Sequence, residues 1–493
     1  QYFSALALVG LVRETTMNYR SISDSAEAEL SAGPWKTALS SRPRSPVAAV
    51  DVVDPVLFSS YNTAYPHGGN DGALWQGVGA NASVSGGAKV ALPYFSATFA
   101  PSLTFSQNAD FDIMPSIVTG SDGYGYFWSG GIDQYQRPGP DAVAGFDWGD
   151  SEVRFDWRRL TVGFGTQAVW IGPAHENAII LSNNAAPFPK FDFGLRRTKT
   201  PVGDVEARAV LGFLSESDYF DNDPDNDRTV LSLMSVSWEP RLTPGLTLGF
   251  HRSLIANSDG SHLENTLKFF QGMGTSFGKD EADQRASLTA RYILPESGFE
   301  AYVEWAKNDY SPDLDYLMRY LFHSQAYTAG VRKAFILGSA ESILVAAFEI
   351  SNTESSRDYA VMGWKPSFYA HHIVTHGYTN LGQILGAAIG SGGNSQFFGL
   401  DLFTAKGALG FFIRRVNRDN DYVYFLDFDS SNATRYNAEL SVGASGLRLL
   451  PHGLYAGAGL AFCRNLNPRY NPNGNDSTVI DNLYATITTG WMF

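Results

Sequence analysis

The sequence predicts an all-β fold: a transmembrane antiparallel β-barrel of 18 strands. Three observations carry this. Side chains alternate between apolar and polar over many stretches of about ten residues, and the connections between those stretches alternate between tight and long. The composition is also that of a chain facing lipid. Of 493 residues only 17% are charged, while aromatics reach 14% and there are 49 glycines. Soluble domains carry about 25% charged residues. The 44% hydrophobic share rules out disorder, yet no run of 18 apolar residues offers a spanning helix. A closed barrel is the other structure that satisfies its own backbone inside a bilayer. The net charge of -14 argues against a nucleic-acid partner, which needs concentrated positive charge. One cysteine, Cys463, excludes a disulfide framework and a thiolate zinc cluster.

The chain opens on an apolar stretch, Phe3–Val12, too short to span and lacking a basic flank. It reads as a short packed helix in a chain that starts after processing of a targeting segment. Ser25–Leu30 has helix-forming composition behind Asp24, a good cap, and Ser41–Pro46 reads as a linker. Residues 1–46 are therefore expected as a small periplasmic or barrel-mouth segment, and 47–493 as the barrel. Val47–Tyr61 is the least patterned strand. Residues 75–84 and 88–106 follow, the second made irregular by Pro93 and Pro101. Further strands are expected near 151–158, 161–170, 190–198, 203–214, 228–238 and 245–255. The pattern is clearest over 284–294, where Arg285, Ser287, Thr289 and Arg291 share one face and Ala286, Leu288, Ala290 and Tyr292 the other. It resumes over 299–305, then near 324–334, 341–351, 395–404, 408–417, 434–445, 453–465 and 482–493.

Tight connections are expected at Gly86-Gly87, Lys199–Gly203, Pro240–Pro244, Pro295–Gly298 and Ala405–Gly407. Long ones fall near 107–150, 171–189, 215–227, 256–283, 308–323, 352–394, 418–433 and 466–481. Outer-membrane barrels keep short turns at the periplasmic rim and long loops outside. A β-sandwich does not sort its loops this way. The last strand sets Leu483, Ala485, Ile487, Trp491 and Phe493 on one face and ends on an aromatic. This places the chain in a bacterial outer membrane with long loops extracellular and both termini periplasmic.

With the apolar set facing lipid, Glu206, Arg208, Arg285, Arg291, Glu300 and Glu304 face the lumen. Arg285/Arg291 and Glu300/Glu304 lie on adjacent strands, so opposite charges can meet. A mixed-sign interior suits a plugged barrel, because desolvated charges must pair. The competing reading is an open porin or polysaccharide-export channel, with charges as solvated walls.

Chemistry-bearing motifs are few. His371-His372 with His376 lacks zinc spacing and reads as polar loop packing, so no metal is expected. Asp221–Asp227 alternates carboxylates but lacks the glycine and distal glutamate of a calcium loop, and reads as an acidic hairpin tip. No nucleophile elbow or phosphate-binding loop is present and no carboxylate pair stands out, so neither catalysis nor a cofactor is expected. The stretch 121–148 is aromatic-rich. Tyr126, Trp128 and Tyr135 are placed to stack sugar rings, with Tyr124, Asp133 and Gln134 beside them to meet hydroxyls. Rim packing or an interfacial belt is the plainer role for the same residues.

Several stretches resemble the Wzi capsule-assembly family of outer-membrane proteins. Trp170-Ile-Gly-Pro, running through Ser182-Asn183-Asn184 to Phe188-Pro189, is similar to that family's W-G-P and S-N-N-A-P segments. Ile132–Arg137, Gly249–Arg252, Tyr369–Gly386 and Asn465–Tyr470 are also similar. The resemblance implies an 18-strand barrel and a lectin-like protein holding capsular or other surface polysaccharide; with the mixed-sign lumen, a monomer in outer-membrane lipids with an occluded lumen is expected. On this reading Trp170, His175, Glu176, Asn177, Asn183, Asn184, His371 and His372 shape the outer loop cluster.

Overall fold

A computed structural model describes residues 2–12, 14–21, 33–35, 49–118, 120, 122–221, 223, 227–258, 282–308, 314–338, 342–358, 367–426, 436–470 and 479–492. The Ser25–Leu30 helix, the Ser41–Pro46 linker, Phe493 and part of the acidic tip (Asn222 and 224–226) lie outside the described residues.

Eighteen strands close into one antiparallel cylinder. In chain order they are β1 Ala49–Asn62, β2 Gly79–Ala91, β3 Phe95–Phe99 with Ser102–Ser106, and β4 Val143–Asp147 with Glu152–Trp157. Next come β5 Leu160–Gly165, β6 Lys190–Thr200, β7 Gly203–Ser215, β8 Arg228–Pro240 and β9 Leu246–Asn257. They are followed by β10 Asp283–Leu294, β11 Phe299–Asn308, β12 Gln325–Leu337, β13 Ser342–Asn352 and β14 Asn394–Thr404. The last four are β15 Gly407–Arg418, β16 Asn437–Leu449, β17 Leu454–Leu466 and β18 Val479–Trp491. Each strand pairs with the next, and β18 returns to β1 with Phe58 opposite Thr488. The weakly patterned first stretch is thus the closing strand.

One expected turn is corrected. Gly86-Gly87 lies inside β2, and the chain reverses at 92–94 instead. Gly86 stands opposite a bulge in β1, where Asp54 and Pro55 interrupt the register between Val53 and Val56. A Cβ on Gly87 would sit 1.8 Å from the Phe99 carbonyl oxygen, so close strand approach, not turning, requires the glycine.

Period-2 alternation sorts the two faces. Leu288, Val303, Val331, Phe398 and Phe411 point outward and are exposed, while Arg285, Ser287, Glu300 and Glu304 point inward and are buried. Short connections gather at one rim and long ones at the other.

An 18-strand barrel is wide enough for an aqueous channel unless something fills it. Here the chain itself enters. The helix α1, Tyr2–Leu8, packs Tyr2, Leu6 and Leu8 on Ala334, Ile343, Val345 and Phe403 near the short-turn mouth. Tyr19–Ser21 pairs with Val169–Ile171 inside the cylinder. Backbone N–H groups of Met17 and Tyr19 donate to the Glu206 carboxyl, both at 3.2 Å, and Asn18 donates to Ser237 and Thr289 on two further strands. The connection from 166 to 189 turns into the lumen. Its His175, Glu176 and Asn177 N–H groups converge on Glu349, and Ile179 N–H donates to Glu304 at 3.1 Å.

Two networks of lumen charges stand out among the described residues. Arg291 donates to Glu300 at 2.5 Å and also reaches Glu14, while Arg332 donates to Glu300 at 3.1 Å. Arg154 binds Glu152 and Asp192, which also accepts from Arg208 at 3.3 Å. Arg285 does not meet Glu304. It pairs with Asp283 at 2.7 Å and lies 4.2 Å from the Tyr378 ring centroid, because the 367–393 loop descends over it and covers its guanidinium.

Candidate functional site

Above this filled lumen the long loops 63–78, 107–142, 367–393 and 467–470 form a cup with a cleft of about 660 Å³. Its walls carry Trp75, Phe111 and Tyr135 with Asp71, Gln134 and Gln383. Trp75 donates its indole N–H to Asn108 at 3.1 Å, which fixes the ring, and meets Tyr135 edge-on at a 5.4 Å centroid separation. Tyr135 in turn meets Tyr219 at 5.8 Å. Gly382, at φ 75°, makes room for it, since a Cβ there would lie 2.2 Å from the Tyr135 ring. Amphipathic rings beside planar amides and carboxylates offer both apolar faces and hydrogen bonds to a polar ring.

The charged groups of the cup are mostly committed to each other. Arg469 pairs with Asp112 at 2.8 Å, and Arg137 pairs with Asp110. Gln136 clamps Met114 from both sides and also bonds Gly125. Gln134 differs: its Oε1 is buried in the cleft lining and has no hydrogen-bond partner.

The residues expected to contact sugar divide into two groups. Tyr126, Gln134 and Tyr135 line the cleft, and Tyr124 packs against Tyr219. Tyr126 and Trp128 both direct their polar edges at Asp419, Trp128 at 2.5 Å, with Tyr126 buried and Trp128 packed on Tyr422 and Phe425. Burial pushes the Asp419 carboxyl up to about 6. Asp133 is fully buried and accepts from Ser217 N–H at 2.7 Å, Ser217 Oγ at 2.5 Å and Gly382 N–H at 3.1 Å. It joins three long loops and has no free face for a ligand. Burial likewise raises it to about 6.

The other residues expected to build the loop cluster make loop-to-loop and loop-to-wall bonds. Trp170 donates to Ala174 O at 3.0 Å, and His175 Nε2 lies 3.5 Å from Glu300. The backbone oxygen of Glu176 accepts from Asn70, while Asn177 bonds Ser395 and accepts from Thr328. Asn183 donates to Asn70 O and Asn184 to Ile384 O, both at 2.8 Å. His371 Nδ1 accepts from Val374 N–H at 2.9 Å, with the exposed His372 ring 4.8 Å away. His376 bonds Thr229 instead. Trp75, Phe111, Asp71 and Gln383 escaped the sequence reading. Trp75 falls in the expected strand 75–84, but β2 begins at Gly79, which leaves the ring in the rim loop 63–78.

One buried group has the order of a nucleophile, base and orienting acid: Cys463 Sγ lies 3.5 Å from His67 Nε2, and His67 Nδ1 lies 3.2 Å from Glu439. The thiol is completely buried in β17, and Arg414 shares His67 Nε2 at 3.3 Å. His67 lines the cleft, and the sulfur behind it has no exposed surface.

Fold and cup together define a closed barrel with an inward-folded plug and a polar, aromatic cleft at its long-loop rim. The family model for capsule assembly protein Wzi matches residues 60–444, and the chain belongs to that family of outer-membrane barrels. Among solved structures it is similar to Escherichia coli Wzi, an outer membrane protein involved in group 1 capsule assembly and a carbohydrate-binding β-barrel. The two share 12% identity with a TM-score of 0.63, covering 100% of this chain and 97% of that one, a likeness of fold. Acinetobacter baumannii OccAB3 matches at 10% identity and a TM-score of 0.45, over 90% of this chain and 99% of that one. No curated protein sequence matches the chain.

Proposed function

We propose that this protein is a non-catalytic, lectin-like barrel that holds capsular or another surface polysaccharide in the long-loop cleft. The observation that carries the reading is the cleft itself: ordered Trp75 and Tyr135 rings beside Gln134, whose buried oxygen has no partner. A sugar ring needs an apolar face and directional hydrogen bonds, and this wall supplies both. The filled lumen beneath favours holding over transport. In the same reading the long loops are extracellular, both termini are periplasmic, and a monomer sits in outer-membrane lipids. Residues 1–46 act as a mouth segment and 47–493 as the barrel.

The test is capture of purified surface polysaccharide, from the strain that makes the protein, by folded protein in detergent. Trp75→Ala and Tyr135→Ala are each expected to weaken capture about tenfold, the equivalent of ~1.4 kcal/mol. Equal capture by wild type and both variants would remove the cleft from the account.

A further inference from the structure

Beneath the cleft lies a second cavity of about 320 Å³, inside the cylinder between β1–β4 and the inner loop. That size falls within the range of enclosed small-ligand pockets, about 300–1,000 Å³. The sequence makes room for it. On β7, β10 and β11 the inward positions carry Arg208, Arg285, Arg291, Glu300 and Glu304, all buried against the plug. On β2 and β3 the inward positions are Ser83, Ser85, Ser102 and Thr104, which line the cavity with hydroxyls.

Its floor is polar. Asp147 and Asp150 each spend one oxygen on a loop N–H, of Gly149 at 2.5 Å and Ala168 at 2.9 Å. Lys190 donates to the Gln167 carbonyl. The Gln167 side chain lines the cavity at 0% exposure, and neither its Oε1 nor its Nε2 has a hydrogen-bond partner. A wholly buried amide with both ends unsatisfied calls for a ligand or ordered water. Phe58 and Phe188 add apolar surface, the Lys190 ammonium lying 4.9 Å from the Phe188 ring centroid. The route in is the cleft, since Asp71 and Leu74 line both spaces.

We infer that this inner cavity is a binding site for one neutral hexose ring, the terminal unit of the polysaccharide whose chain lies in the outer cleft. The inference rests on the lectin reading and deepens it. Hydroxyls, carboxylates and a free amide match vicinal diols, and a phenyl ring matches a sugar's C–H face. Three carboxylates, of Asp71, Asp147 and Asp150, against one ammonium disfavour an acidic sugar.

The experiment titrates folded protein in detergent with glucose, galactose and mannose, and with glucuronate as the anionic control, by saturation-transfer NMR. At least one neutral hexose is expected to bind, with glucuronate at least tenfold weaker. Gln167→Ala and Ser102→Trp should each weaken hexose binding tenfold or more, while Trp75→Ala weakens polysaccharide capture and leaves the monosaccharide bound. Heat-modifiable gel mobility checks folding. In a Ser102→Cys variant the hexose should slow alkylation of the new thiol at least fivefold, a readout that needs no loss of binding. No hexose binding by wild type, or hexose binding that Gln167→Ala and Ser102→Trp leave unchanged, overturns the inner site and leaves the cleft reading intact. Polysaccharide capture indifferent to Trp75→Ala strikes the lectin reading instead.

Discussion

Glu349 is the post to which the plug is tied, and removing it should open the barrel. Its carboxyl oxygens accept the N–H groups of His175 at 2.8 Å, Glu176 at 3.2 Å and Asn177 at 2.9 Å, and the Tyr302 hydroxyl at 2.7 Å. The Asn177 and Tyr302 donors are buried and those of His175 and Glu176 partly so, and an unsatisfied buried donor costs about 1–3 kcal/mol. In Glu349→Ala three backbone donors lose their acceptor, giving roughly 3–9 kcal/mol before water fills the gap. Taking the low end, about 3 kcal/mol, the population with the 172–180 segment withdrawn rises about two orders of magnitude. Glu349→Gln keeps one carbonyl acceptor and should fall between. The assay is single-channel conductance in planar bilayers. Wild type is expected to stay closed at moderate voltage, with brief openings in Glu349→Gln and frequent ones in Glu349→Ala. Conductance of Glu349→Ala indistinguishable from wild type would refute the tether, and a large steady wild-type current would refute the plug.

Three further outcomes follow from the same contacts. Asp133 and Asp419 carry folded-state values near 6 against an ordinary 3.8, raised by burial. The folded cup therefore binds more protons than the unfolded chain between about pH 4 and 6, and its stability falls as pH rises through that window, by roughly 3 kcal/mol for each group. Near-UV circular dichroism melts should show this slope, and Asp133→Asn with Asp419→Asn should flatten it. Arg285→Ala strands Asp283 and uncovers the Tyr378 ring, so a loss of about 3–5 kcal/mol is expected in the midpoint of heat-modifiable unfolding. Leu288→Arg, placing a charge on the exposed outer face of β10, should cost about 2–4 kcal/mol in lipid vesicles and much less in buffer-exposed detergent rims.

The barrel was legible because period 2 is a local property. Arg285 to Arg291 against Ala286 to Tyr292 states which side each residue faces without any tertiary knowledge. The sorting of short and long connections then fixed the topology. What alternation cannot encode is where a loop goes once it leaves the wall. Gly86-Gly87 reads as a turn by composition, yet Pro55 and Phe99 decide its role from two other strands. Tyr126 and Trp128 read as stacking platforms, and nothing local announces that Asp419, almost 300 residues away, takes both polar edges. Trp75 and Gln167, by contrast, fall in the expected strands 75–84 and 161–170, yet β2 begins only at Gly79 and β5 ends at Gly165, so both belong to loops. Their importance comes from what surrounds them: an edge-on Tyr135 in one case, an unfilled hydroxyl-lined space in the other.

Plug and cleft are mechanically one unit. The inner loop that Glu349 holds continues into Asn183 and Asn184, which bond Asn70 and Ile384, and both of those loops line the cleft. Tyr369 and Tyr378 descend from the same rim loop to the carbonyls of Ile179 and Ile180, each at 2.9 Å. Releasing the segment thus removes the floor on which 63–78 and 367–393 stand. Preorganised walls bind better because ordering costs are met before the ligand arrives. Glu349→Ala should accordingly weaken polysaccharide capture as well as raise conductance, although it lies outside the cleft lining. A crosslink restores the distinction: with an Asn183→Cys/Asn70→Cys disulfide pinning the loop to the rim, capture should recover while the lumen beneath stays leaky. If capture in Glu349→Ala is normal without the crosslink, the cleft is self-supporting and the plug serves only to close the barrel.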